Sequence, residues 1–487
     1  MNSALETTFT PLPETKANAE PRPGIPKIVV VLPRGEAIRN FVYSGALDEL
    51  ERDAQLSVLS VLPNAAFEDL LAARYRSVHP LAEVRERWAP RFLRQFLDTA
   101  HGRWLWSMAA RERWRLRDLE ATTPGEKLKR WFKKLACYPF ANRPGLSLLA
   151  AAERIASRQW RATDPYVRFF RETGPSLVFN GSHVHSQVAT QTVHAAQSLG
   201  IPTATFIFSW DNLTSQGRII PLYDYYIVWN EGIRDQLLDL YEEIRPEQVF
   251  VTGTPQFDFH FNPKFYWSRE EFCRRVGADP ARPVVLYSTG MANHVAGEPR
   301  LVEDIADMLR GLKDLNSPQL LVRIYAKGPQ GVFDELKKRR PDILFPETLW
   351  EPAWLTPKVE DLYLLTNTLR HCAVGLNVAS TISLELCMFD KPCINVGYLP
   401  PGVPMLFDYR RYYEFEHYKP IVDSGAIMVA KSEAEMNAML RQSLTHPGRD
   451  SARRRELLQR FFGDTLDGQS GHRVAEQLFK LASAHTG

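Results

Sequence analysis

Residues 361–398 read DLYLLTNTLRHCAVGLNVASTISLELCMFDKPCINVGY. Leu362, Leu365 and Leu369 recur at helical spacing, and the run at 373–376 is a short apolar strand. Ser380 and Thr381 make a turn that opens a second helix bearing Glu385, and Lys391-Pro392 leads into another apolar strand, CINVGY. Such a β–turn–α–β order sets backbone N–H groups, two hydroxyls and a helix N-terminus at the C-terminal end of a strand. A phosphate is favoured there by hydrogen bonds and by the helix dipole. Glu385 follows Thr381 by four residues, one turn up the same face, at a reach suited to ribose hydroxyls. The stretch reads as a nucleoside-diphosphate site, with a plain N-cap as the structural alternative for Ser380 and Thr381.

Outward from this stretch, short apolar runs alternate with helical patterns. KIVVVL (27–32) is a strand closed by Pro33-Arg34-Gly35; LSVLSVL (56–62), SLVFN (176–180), PTATFIF (202–208), YYIVW (225–229) and EQVFVTGTP (247–255) follow. A second cycle starts with PVVLYSTG (283–290) and LLVRIYAKG (320–328). The alternation predicts an α/β protein with two Rossmann-like domains of parallel strands facing a cleft. The expected division is a disordered tail over 1–26, a first domain over 27–257 with a helical Trp/Arg-rich insertion near 84–135, and a hinge over 258–282. A second domain follows over 283–470, and a C-terminal helix over 471–487 packs back across the domains.

The 487 residues are 44% apolar and 24% charged, with a net charge of only +3, so global electrostatics does not indicate a nucleic-acid binder. Five cysteines without C-x-x-C spacing read as reduced core residues of a cytoplasmic protein. No run reaches the length of a spanning helix, and the first residues lack the apolar core of a secretion signal.

The two Rossmann-like halves, with VTGTP at 251–255, YSTG at 287–290, LVR at 321–323 and Ser380-Thr381 with Glu385, resemble the GT-B superfamily of glycosyltransferases. The resemblance includes its CDP-glycerol glycerophosphotransferase-like and UDP-GlcNAc 2-epimerase-like branches. It implies that the Ser-Thr turn and Glu385 hold the donor's diphosphate and ribose. Arg323 and Lys327 would neutralise phosphate oxygens, and Ser288, Thr289 and Gly290 would line the donor crevice. The His-Arg-Arg-Glu run of the epimerase branch is absent, and Trp210-Asp211-Asn212 stands where the glycerophosphotransferase branch presents His-Gly. The expected activity is therefore transfer of a sugar from a nucleotide-sugar co-substrate to a glycan or lipid-linked acceptor in surface polysaccharide synthesis. Polyol-phosphate transfer, epimerisation and a non-catalytic nucleotide-sugar-binding scaffold remain as alternatives. No Asp-x-Asp occurs, so neither a metal nor another cofactor is expected.

Three first-half residues are candidates for the base that deprotonates an acceptor. Glu36 lies on the loop after the first strand, and Asp211 lies in SWDNLTSQGR (209–218), where it could equally cap a turn. His183 lies in NGSHVH (180–185), beside His185. His294, after the YSTG strand, is as readily an ordinary loop residue. Between Arg85 and Lys134, five tryptophans stand among arginines and lysines, a composition suited either to an anionic membrane surface at the inner face or to a solvated helical face.

Overall fold

An unbroken β-branched run satisfies its backbone most readily in the interior of a parallel sheet, and β1 (Lys27–Leu32) is buried along its length accordingly. In the computed structural model, which describes residues 24–81, 86–160, 163–184, 187–290, 295–328 and 331–486, the chain divides into two compact units. The first comprises residues up to 255 together with 469–487, and the second comprises 256–468.

In the first unit, β1 is flanked by β2 (Gln55–Ser60) and β4 (Leu177–Asn180), with Val31 paired to Leu59 on one side and to Asn180 on the other. With β3 (Val78–Pro80), β5 (Thr203–Phe206), β6 (Tyr225–Val228) and β7 (Val249–Val251), they form a parallel sheet ordered β3-β2-β1-β4-β5-β6-β7. The order reverses between β1 and β4, which opens a crevice at their C-terminal ends.

Between β3 and β4 lie the helices Trp88–Leu105, Met108–Glu120, Pro124–Cys137, Arg143–Gln159 and Asp164–Thr173. The first four share one core of Phe96, Leu97, Trp114, Cys137, Leu146 and Leu149, so the insertion expected to end near 135 runs on to Gln159. The helix Ser470–Ser483 belongs to this unit. It packs on the helix Ala46–Asp53, burying Val474 and Leu478, pairing His472 with Glu49 and donating from Arg473 Nε to the Thr252 carbonyl at 2.7 Å.

The second unit holds a parallel sheet ordered β14-β13-β12-β8-β9. Its strands are β8 (Val284–Ser288), β9 (Gln319–Arg323), β12 (Val374–Asn377), β13 (Cys393–Val396) and β14 (Met428–Ala430). A two-residue-per-strand antiparallel pair, β10 (Trp350–Glu351) with β11 (Thr356–Pro357), lies apart from it. Here the order reverses between β8 and β12. Residues 258–282, expected as a hinge, belong to this unit. Trp267 N donates to Asn367 Oδ1 at 2.7 Å, and Phe272 and Val276 of the helix Arg269–Val276 are buried. The α/β class with two Rossmann-like sheets is the one read from the sequence. The expected tail lies outside the described residues as far as position 23, as does Arg85 at the start of the basic stretch. All five cysteines are free and buried, and among the described residues no helix is long and apolar enough to cross a membrane.

Candidate functional site

The switch point of the second sheet gathers the residues read as a donor site. Leu376 pairs with Tyr287 and Ser288 pairs with Arg323, so Asn377, Ser288 and Arg323 end three adjacent strands in one row. Beyond β8, Thr289 N donates to the Arg323 carbonyl at 3.0 Å and Thr289 Oγ1 accepts from Tyr325 N at 2.8 Å. Thr289 thus ties the loops after β8 and β9 together. Gly290 lets this loop pass close to Val295, since a Cβ there would lie 2.5 Å from Val295 Cγ2 and would require that side chain to shift.

Glu298, the first residue of the helix Glu298–Arg310, reaches back to this turn, its Oε1 accepting from Gly290 N at 2.8 Å and from the Tyr287 hydroxyl at 2.9 Å. Burial pushes its carboxyl up to about 7, and the two hydrogen bonds only moderate the rise. The sequence shows an acid at a helix start, where it passes for an ordinary first-turn residue, so its burial was not legible.

Beyond β12, a buried polar plug shapes the Ser-Thr turn. Asn377 Oδ1 accepts from Ser380 N at 3.0 Å, Asn395 Oδ1 accepts from Ala379 N at 3.1 Å, and Ser383 Oγ lies 2.8 Å from the Tyr418 hydroxyl. Ala379 is held at φ 42°, a left-handed conformation that costs an alanine about 1 kcal/mol and is sustained by this network. Thr381 occupies the N-cap of the helix Ile382–Met388 without a side-chain capping bond, while Ser380 Oγ accepts from Ile382 N at 3.4 Å.

Glu385, on that helix, accepts a 2.8 Å hydrogen bond from His260 Nε2, while His260 Nδ1 lies 3.1 Å from Thr366 Oγ1. His260 is buried and wedged against Phe257 and Phe389, so it fixes the carboxylate's orientation. Glu385 Oε1 makes no hydrogen bond to a described residue. Arg323 Nη2 donates to both oxygens of the buried Asp361, at 2.9 and 2.8 Å, leaving Nε and Nη1 without a partner among the described residues. Lys327 Nζ lies 5.7 Å from the centre of the Tyr325 ring. His260 and Asp361 escaped the sequence reading, since each acts on a partner far along the chain.

In the first unit, Glu36 follows β1 and His183 follows β4, the adjacent strands at the switch point. Arg34 Nη2 lies 2.6 Å from Glu36 Oε2, and its guanidinium carbon is 6.0 Å from the centre of the Phe208 ring. His183 Nδ1 lies 3.2 Å from the Phe206 carbonyl and 3.3 Å from Phe208 N, so its tautomer decides which of these it engages. The following residues, Arg39–Tyr43, form a π-helical turn, a local distortion frequent at functional sites. Asp211 is differently placed. Its two oxygens accept from Ser209 Oγ at 2.5 Å and Ser215 Oγ at 2.6 Å, while its side chain makes no capping bond to the helix Asn212–Ser215 that it precedes. His185 and His294 lie outside the described residues. Among the described residues, no three His, Cys, Asp or Glu side chains are grouped so as to hold a metal ion.

No protein-family model matches the sequence, and no curated protein matches it at a significant level. Solved structures do match in shape. The UDP-GlcNAc 2-epimerase from Neisseria meningitidis bound to UDP-GlcNAc aligns over 94% of this chain and 100% of its own, with TM-score 0.52 and 12% identity. The UDP-GlcNAc 2-epimerase from Methanocaldococcus jannaschii aligns over 93% and 99%, with TM-score 0.52 and 14% identity. A putative UDP-N-acetylglucosamine 2-epimerase from Listeria monocytogenes aligns over 93% and 96%, with TM-score 0.53 and 9% identity. At such identities the likeness is one of fold, two Rossmann-like units each built on its own parallel sheet.

Proposed function

We propose that this chain is an enzyme acting on a nucleotide sugar, which it binds at the switch point of the second unit. The observation that carries this reading is the convergence of Ser288, Thr289, Gly290, Arg323 and the Ser380-Thr381 turn on one row of strand ends, beside a Glu385 carboxylate oriented by His260. Open α/β sheets bind ligands at such positions. In this proposal the hydroxyls and backbone of the two turns hold the diphosphate. The Arg323 nitrogens not committed to Asp361, with Lys327, balance its charge, and Glu385 Oε1 accepts from a ribose hydroxyl.

The reaction proposed is glycosyl transfer to a glycan or lipid-linked acceptor of the cell surface. Glu36 takes the acceptor's proton, with His183 as the next candidate. Asp211 is the weaker candidate because two hydroxyls already engage its oxygens. Departure of the nucleoside diphosphate needs positive charge where negative charge develops, which the Arg323 and Lys327 side chains can supply without a metal. Epimerisation of the nucleotide sugar is the second reading, favoured by the epimerases among the similar folds.

Melting curves with UDP, CDP, GDP and CMP test the binding half, since a ligand at 100 times its Kd stabilises by about 2.7 kcal/mol. No shift with any of them refutes it. Incubation with UDP-sugars then separates the two reactions. Release of nucleotide only when acceptor is added supports transfer, whereas acceptor-independent interconversion of the sugar supports epimerisation. Full transfer activity in Glu36→Gln would move the base to another residue.

A further inference from the structure

The helix Pro124–Cys137 has an unusual distribution of side chains for a helix packed on a protein. At 100° per residue, Leu128, Trp131, Phe132 and Leu135 fall within one stripe about 100° wide. Each is more than half exposed, at 56%, 55%, 56% and 54%. Cys137, fully buried in the core of the helical insertion, projects about 170° from the centre of that stripe. The apolar face of this amphipathic helix therefore points away from the body of the protein. An ordinary surface helix does the reverse.

Charge is arranged about the same stripe. Lys127 lies about 90° to one side and Lys129 about 110° to the other. Both are exposed, and neither pairs with a described residue. Arg130, about 150° from the stripe's centre, and Lys134, about 110° from it, are held by Asp118 of the preceding helix, Arg130 Nε at 2.7 Å, which clamps the helix in this orientation. The single acid of the helix, Glu126, is engaged in a capping box at its N-terminus, accepting from the Thr123 and Thr122 backbone N–H groups at 3.0 and 3.1 Å. Pro124 at the first position and this box start the helix firmly.

We infer that the helix Pro124–Cys137 is an in-plane membrane anchor that seats Leu128, Trp131, Phe132 and Leu135 among the acyl chains of an anionic lipid surface, with Lys127 and Lys129 at headgroup level. Charge complementarity selects this occupant. A two-fold pairing with a second copy would set the lysine rows of the two helices against each other, whereas an anionic headgroup layer meets both rows at once. The inference is independent of the donor reading, because it uses none of the same residues.

Flotation with phosphatidylcholine vesicles, with and without phosphatidylglycerol, tests it on the full chain. The expected result is flotation with the anionic vesicles, weakened by salt, and lost in Trp131→Asp/Leu135→Asp. Lys127→Ser and Lys129→Ser are each expected to lower vesicle binding roughly fivefold. All four side chains face solvent, so the variants should melt with the parent. Should the aspartate pair lower the melting temperature, the lysine variants carry the test alone. Failure to float with anionic vesicles at low salt overturns the inference, as does flotation unchanged in the variants. A parent dimer that the aspartate pair converts to monomer, without vesicle binding, would assign the stripe to a second copy.

Discussion

Replacing Glu298 by Gln should make the protein's stability less dependent on pH in a defined window. The Glu298 carboxyl is 3% exposed, and burial lifts it from its ordinary 4.5 to about 7. The Gly290 N–H, the Tyr287 hydroxyl and the start of its own helix all favour the ionised form, so burial outweighs them together. The folded state thus holds a proton that the unfolded chain has released between these two values. Stability is undiminished below about pH 4.5, falls as pH rises, and is fully reduced above about pH 7. A displacement of this size corresponds to about 3 kcal/mol. Glutamine keeps an oxygen to accept from Gly290 and Tyr287 but has no charge to bury. The difference in unfolding free energy between Glu298→Gln and the parent should therefore grow by about 3 kcal/mol in favour of the variant between pH 4.5 and 8. Urea titrations at steps across that range measure it, and groups that titrate alike in both proteins cancel. A difference that stays flat with pH would refute the reasoning, showing that relaxation or entering water solvates the carboxylate.

Glu385→Ala should weaken nucleotide binding by about 1.5–3 kcal/mol, the usual worth of a hydrogen bond to a charged group, and calorimetric titration with UDP would expose an unchanged Kd if the ribose site lies elsewhere. Gly375→Ala would bring a Cβ within 2.2 Å of Leu386 Cδ1, between β12 and the Ile382–Met388 helix. It should cost about 1–3 kcal/mol in a urea melt unless Leu386 can yield. Glu153 behaves oppositely to Glu298. Burial would raise its carboxyl, but the hydrogen bond and charge of His194 and the guanidinium of Arg94 bring it down to about 2. Its contribution of about 3 kcal/mol is present above pH 4.5 and lost as pH falls through about 2, so an acid titration of Glu153→Gln should lack that loss.

Local pattern carried much of the architecture. KIVVVL is a β-branched run of strand length closed by Pro33-Arg34-Gly35, and the apolar runs at 283–290 and 373–376 announced a second sheet with polar turns at its strand ends. The Ser380-Thr381 turn and the helix carrying Glu385 could be placed from the sequence because their spacing is local. The partners that orient them could not. His260 stands 125 residues before Glu385, and Asp361 stands 38 residues after Arg323. A pairing across such separations leaves no periodicity to read. Asp211 illustrates the converse, a polar residue at a strand end whose hydroxyl neighbours at 209 and 215 already engage it. The lysine- and tryptophan-rich stretch showed its composition in the sequence, but which face of Pro124–Cys137 looks outward was decided by where Cys137 packs.

The first unit is discontinuous, since the helix Ser470–Ser483 completes it after the whole second unit has been spelled out. During synthesis the chain reaches residue 255 with the apolar flank of Ala46–Asp53 still uncovered, because Val474, Leu478 and Leu481 have not been made. At 5–20 residues per second, residues 256–468 take roughly 10–40 s to emerge. Throughout that interval the apolar seam of the nascent first unit lacks the helix that covers it. The helix that closes the first unit is thus made only after the whole second unit.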